Sequence, residues 1–251
     1  ALHGATGGRL ILTQAQGTLW RGSALLELGA GGSASDRAAL PGVLDWTLRP
    51  SLAGLHLKLN ASCCTPQGMD LQVSPQWGGA RVVVANAQSD WPAAVLTGLG
   101  TPWNTLQPTG DLRLVTEGLD LRWVEGRPLL AGRVRLELLR ISSRLSTVRP
   151  LGNYRLQLDG GSQPRLNLET LEGSLRLSGD GQWVGSVLTF RGVASAESGS
   201  EAALSNLLNI IGRRDGPRHK GACGDANEQT DAGAHGIPPP REAVIHPAVS
   251  G

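Results

Sequence analysis

The chain has 251 residues and a mass of 26.2 kDa, with 23 Lys+Arg against 21 Asp+Glu and a formal net charge of +2. That length can bury a sizeable core, as one large β domain or two small ones. The near-neutral balance excludes the strong global field that draws a protein onto nucleic acid or an anionic membrane.

No apolar run approaches the roughly 20 residues of a spanning helix. No secretory signal with a basic start and an apolar middle is present. The first residue is Ala1, not Met, so an upstream segment is expected.

The dominant pattern is period-2 alternation in short runs. In chain order, strands are expected over residues 9–13 and 18–28, then in Leu44-Asp45-Trp46-Thr47-Leu48 and Leu55-His56-Leu57-Lys58-Leu59-Asn60. The latter puts three Leu on one face and three polar groups on the other, because successive Cβ atoms point to opposite faces. Further strands are expected over 69–73, 81–85 and 111–115, and in Leu119-Asp120-Leu121-Arg122-Trp123 and Val134-Arg135-Leu136-Glu137-Leu138. Tyr154-Arg155-Leu156-Gln157-Leu158, residues 165–168, Leu175-Arg176-Leu177 and residues 183–193 complete the series. Gly31-Gly32, Gly78-Gly79 and Gly160-Gly161 fall between runs, where turns belong.

The fold class that follows is all-β: a large curved antiparallel sheet, or a partial barrel or sandwich, of about 12–14 short strands with two short helices. Gly110-x-Leu112-x-Leu114 resembles Gly173-x-Leu175-x-Leu177, with a looser copy at Gly17-Thr18-Leu19-Trp20. This is either the shared look of Gly-bounded amphipathic strands or a repeated strand–turn–strand unit.

The first helix is expected to open at Ser89-Asp90-Trp91-Pro92, with an N-cap and a Pro in its first turn. The second opens at Ser200-Glu201, carries Leu204, Leu207, Leu208 and Ile211 on one stripe, and ends at Gly212. We expect a β domain over 1–212, with a possible division into two subdomains near 100–110, and a disordered tail over 213–251, where periodicity stops.

Chemistry is hard to find. The three Cys, at 63, 64 and 223, make neither a disulfide framework nor a zinc spacing. Cys63 and Cys64 read most simply as two small hydrophobic side chains at a strand end, since a bond between neighbours closes a strained ring. Whether they pair stays open. His3, His56, His219, His235 and His246 have no Cys or carboxylate at ligand spacing. There is no nucleophile elbow, phosphate loop or RNP-like aromatic interleaving. Asp70 and Asp90 read as solvent-facing groups. Trp20, Trp46, Trp77, Trp103, Trp123 and Trp183 read as core anchors rather than ligand platforms. No catalytic, cofactor-binding or metal-ligating residue is therefore assigned, and no cofactor is expected.

Several segments nevertheless resemble, in order, the type II secretion system protein N family. They are Gly17-Thr18-Leu19-Trp20-Arg21-Gly22-Ser23-Ala24, then Leu40-Pro41 with Leu44-Asp45-Trp46-Thr47-Leu48-Arg49-Pro50. Ser142-Ser143-Arg144-Leu145-Ser146 with Leu151-Gly152-Asn153-Tyr154 follows, then Leu171-Glu172-Gly173-Ser174-Leu175-Arg176-Leu177-Ser178-Gly179 and the stretch 204–214.

The resemblance implies a non-catalytic accessory component of the type II secretion machine. It implies a periplasmic domain held at the inner membrane by an N-terminal anchor absent from this sequence, with the secretin and inner-membrane platform proteins as partners and no nucleic acid. It also implies a short apolar closing strand after Arg213-Arg214, where this chain instead runs into a Gly/Asp/Pro-rich tail that would leave a sheet edge unpaired. The alternative is a β-groove module that holds a lipid or other apolar ligand.

Overall fold

The computed structural model describes residues 10–29, 37–124, 127–184, 187–211, 213–214 and 243–245. The strands are β1 (Leu10–Gly17), β2 (Arg21–Gly29), β3 (Arg37–Ala39), β4 (Leu44–Ser51), β5 (Gly54–Ala61), β6 (Met69–Gln76), β7 (Gly79–Val84) and β8 (Ala87–Pro92). They continue as β9 (Thr109–Val124), β10 (Arg127–Ser142), β11 (Gly152–Asp159), β12 (Arg165–Gly173), β13 (Leu175–Val184), β14 (Val187–Ala196), β15 (Arg213–Arg214) and β16 (Ala243–Ile245). Three short helices are α1 (Ala93–Leu99, of 3-10 type), α2 (Trp103–Leu106) and α3 (Glu201–Ile211).

All sixteen strands belong to one antiparallel sheet that does not close into a barrel. The main path runs β1-β2-β4-β5-β6-β7-β9-β10-β11-β12-β13-β14-β16-β15. The expected all-β antiparallel sheet is what the chain forms; the extra strands are mainly two- and three-residue pieces too short to show alternation. β3 pairs with β2, and β8 takes the half of β9 that β7 leaves free.

Cross-strand partners share a face, so the register sorts the side chains. Leu48, Leu57, Leu71, Val84 and Leu119 form one apolar row from β4 to β9. Leu112, Leu138 and Tyr154 form another further along. The core lies over the half of this apolar face from which α1, α2 and α3 are reached. It joins Leu112, Tyr154, Leu175 and Ala194 of the sheet to Val95 of α1, Leu151, and Leu204 and Leu207 of α3.

The opposite face carries ion pairs, across strands from Arg81 to Asp120, Arg133 to Glu117 and Asp159, and Arg155 to Glu137 and Glu169, and within β9 from Arg122 to Asp120.

The two runs expected at 111–115 and 119–123 are one strand, β9. Between Thr116 and Leu119 the apolar alternation shifts by one residue, and a bulge at Gly118 (φ +58°) takes up the extra residue. Apolar side chains before and after the bulge thus point to the same face. Conversely, residues 183–193 are not one strand: the chain reverses between β13 and β14.

Ser89-Asp90-Trp91-Pro92 is strand β8, not a helix start; Pro92 is the N-cap of α1. The Trp91 indole donates to Ser89 Oγ at 2.7 Å, which ties two residues of the strand face together. The second helix is as expected, with Leu204, Leu207 and Leu208 buried. Gly212, and the tail except 213–214 and 243–245, lie outside the described residues. The expected open edge beside β14 is corrected: Ala243–Ile245 pairs with Gly192, Val193 and Ala194.

Candidate functional site

Antiparallel order places the hairpins at 17–21, 51–54, 76–79 and 124–127 side by side at one end of the sheet, away from α1–α3. This rim corrects the reading of the tryptophans as core anchors. None of Trp20, Trp46, Trp77, Trp103, Trp123 and Trp183 is buried. Trp77 is 103% exposed, Trp20 50% and Trp123 39%. Trp46 is half-buried and donates from its indole to the Leu19 carbonyl at 3.1 Å, which braces the first hairpin. The tryptophan that packs on the core, which includes Tyr154, is Trp91. The signal available in the sequence was position: Trp77 stands beside Gly78-Gly79, where a turn belongs, whereas Trp20 falls within the strand expected over 18–28 and the structure puts it in the turn before β2.

His56 lies on the polar face, as its alternation requires. It lines a shallow depression with Thr47, Arg49, Pro50, Lys58 and Asp70. His56 pairs in register with Arg49 and Gln72, and Asp70 with Lys58, so the imidazole and the carboxylate are diagonal neighbours with no hydrogen bond between them. Asp70 and Asp90 are not brought together, because Asp90 pairs with Arg113 across β8 and β9.

Cys63 and Cys64 are bonded to each other in the turn after β5, so their favoured reading as separate side chains is corrected. The adjacent Thr65 hydroxyl accepts from the Ala61 amide at 2.6 Å, and the Cys64 carbonyl accepts from the Asp90 amide at 2.8 Å, which holds that turn against β8. Among the described residues no group of three or more His, Cys, Asp and Glu is placed to hold a metal ion. His3, Cys223, His219, His235 and His246 lie outside them.

Electrostatics follow the ion-pair rows. Hydrogen bonds from Arg81 and Arg122 hold the Asp120 carboxyl well below the usual carboxylate range. Hydrogen bonds from Gln157 and Arg133 lower the pKa of Asp159 as well. Burial pushes the Tyr154 phenol above its ordinary value.

At the far edge, the strand that pairs with β1 among the described residues is β2, and a bulge between Thr13 and Gln16 breaks the register of that pair. Its sequence Leu-Ile-Leu-Thr-Gln-Ala-Gln-Gly contains no charge and no Pro, so of the devices that keep a sheet edge from pairing further it carries the bulge, at Gln14 (φ +52°), and neither of those two. No described helix is long and apolar enough to cross a membrane.

These features define a class: an open amphipathic β-sheet with one ion-paired face, one apolar face and an edge strand that carries no charge and no Pro. The family model for type II secretion system (T2SS), protein N matches residues 8–219, and the chain belongs to that family. No curated protein and no solved structure matches it.

Proposed function

We propose that this type II secretion component is a non-catalytic periplasmic scaffold, held at the inner membrane by a preceding segment, that links platform proteins to the secretin. The match over residues 8–219 supports the machine. The single observation that carries the mode of action is the β1 edge. A strand of a partner added there gains main-chain hydrogen bonds, and alternate side chains set specificity. Leu12 shares a face with Leu26, so a strand added beside residues 11–17 would continue the apolar surface.

The test is capture of co-expressed secretin and platform proteins by the full chain and by an Ile11→Lys/Thr13→Lys variant. Both positions lie on the face that carries Glu27, so the charges leave β1–β2 pairing in place while guarding the edge. Capture lost in the variant is expected. A capture profile indistinguishable from wild type would sink the edge mechanism.

A second reading is supported by the half of the apolar face outside the core, where Leu57, Val73, Val82 and Leu121 are only half-buried. That surface would hold an acyl chain. A lipid retained in native mass spectrometry favours it; a bare protein mass excludes it.

A further inference from the structure

We infer that the hairpin rim is a docking surface for a lipid bilayer with anionic headgroups, beyond the scaffold role above and independent of it. Large exposed hydrophobic side chains are not scattered over this sheet. Of the twelve described, eight stand at the rim or within a few residues of it: Leu19, Trp20, Leu52, Leu55, Trp77, Trp123, Val124 and Leu129. They come from four neighbouring hairpins. With strands about 4.8 Å apart, those eight strands make a line about 35 Å long, which suits a flat surface better than a pocket.

The chemistry of the tips is that of an interfacial belt. Tryptophan combines an apolar body with an N–H that stays hydrated, and it concentrates where hydrocarbon meets headgroup. Leu52 at 111% and Trp77 at 103% exposure stand clear of the described residues. Such tips reach a few ångströms into the headgroup region without any segment spanning the bilayer.

Charge complementarity selects anionic lipid. Arg21 flanks the first hairpin, Arg49 the second, and Arg165 the turn into β12. None of the three has a carboxylate partner among the described residues, whereas Arg81, Arg122, Arg133 and Arg155 on the same sheet are all ion-paired. Asp159, the described carboxylate at that end of β11, is already taken by Arg133. The chain as a whole is near neutral, so the attraction is local to the rim.

The test is vesicle co-sedimentation of the full chain. One set of vesicles mixes phosphatidylglycerol with phosphatidylethanolamine; the other is phosphatidylcholine alone. Tryptophan quenching by brominated acyl chains is read in parallel. Binding to the anionic set with quenching is expected, and Leu52→Ala/Trp77→Ala removes most of both. Their near-complete exposure leaves the fold unaffected, which circular dichroism checks. Arg21→Gln/Arg49→Gln weakens binding to the anionic set by about tenfold or more, at roughly fivefold per arginine at the surface, and added salt does the same. A chain that stays in the supernatant with both sets overturns the proposal. So does binding that neither pair of substitutions changes, and so does self-association through Trp77 without vesicle binding, which would make a second copy the occupant.

Discussion

The hydroxyl of Tyr154 on β11 donates to the carbonyl of Leu175 at the start of β13, at 3.1 Å, across the end of the intervening strand β12. Here β12 and β13 have ceased to pair, and the Leu175 amide instead donates to the Leu151 carbonyl. The Thr170 hydroxyl spans the remaining gap, accepting from the Leu177 amide and donating to its carbonyl. Side-chain oxygens thus complete the ladder where the backbone does not, in the middle of the core.

Tyr154→Phe should therefore cost about 1 kcal/mol, the net worth of one buried hydrogen bond. Chemical denaturation at neutral pH measures it. Retention of full stability would mean that the hydroxyl is solvated equally well in the unfolded chain.

Burial of Tyr154 also makes an alkaline prediction. Its native value lies above the ordinary tyrosine value of about 10, so the neutral phenol is favoured by folding. The stabilisation is complete below that ordinary value and is lost as pH rises through the native one. Because the chain has one Tyr, tyrosinate absorbance reports this group alone. It should appear together with loss of the β-sheet signal, not before it.

Asp120 predicts the acid side with the opposite sign. Two arginines depress its native value, so its contribution is present above the unfolded value of about 3.9 and disappears as pH falls through the native value. Asp120→Asn should lower stability at pH 7 by about 1 kcal/mol, discounted because both arginine partners are solvent-screened. The difference from wild type should shrink steadily below about pH 4. A gap that is constant with pH would remove the charge from the explanation.

Two glycines facing each other across β9 and β10 should respond very differently to Ala. A Cβ on Gly132 would fall 2.2 Å from the Gly118 carbonyl oxygen, at φ +89°. On Gly118 it would meet nothing within 4 Å, and only the φ of +58° opposes it. Gly132→Ala should cost several kcal/mol, combining a backbone clash with left-handed strain, and Gly118→Ala about 1 kcal/mol. Thermal unfolding of the two variants ranks them; equal losses would mean that the bulge relaxes freely.

On α3, Leu204 is fully buried while Ile210 is 42% exposed. Leu204→Ala should cost about 2–5 kcal/mol, and Ile210→Ala should lie within about 0.5 kcal/mol of wild type. A comparable loss at both sites would mean that the exposed side of α3 is covered.

Alternation alone determined that this chain is an antiparallel amphipathic sheet, since one-sided burial dictates Leu-polar-Leu in runs such as 55–60. The stripe Leu204, Leu207, Leu208 and Ile211 likewise fixed the buried side of α3. The shifted alternation around Gly118 reads as a break between two strands; only pairing of both halves with β10 shows it to be a bulge within one strand. What the residues could not decide locally was which apolar groups a second layer covers. Tryptophan is as apt for a core as for an interface; only the placement of four hairpins along one rim, beyond the reach of the helices, left Trp20, Trp77 and Trp123 in the open. Partner choice on the polar face was equally non-local. Strand register, set by pairing across tens of residues, brought Arg81 to Asp120, which already had Arg122 two residues along its own strand, and left Arg21 and Arg49 without an acid among the described residues.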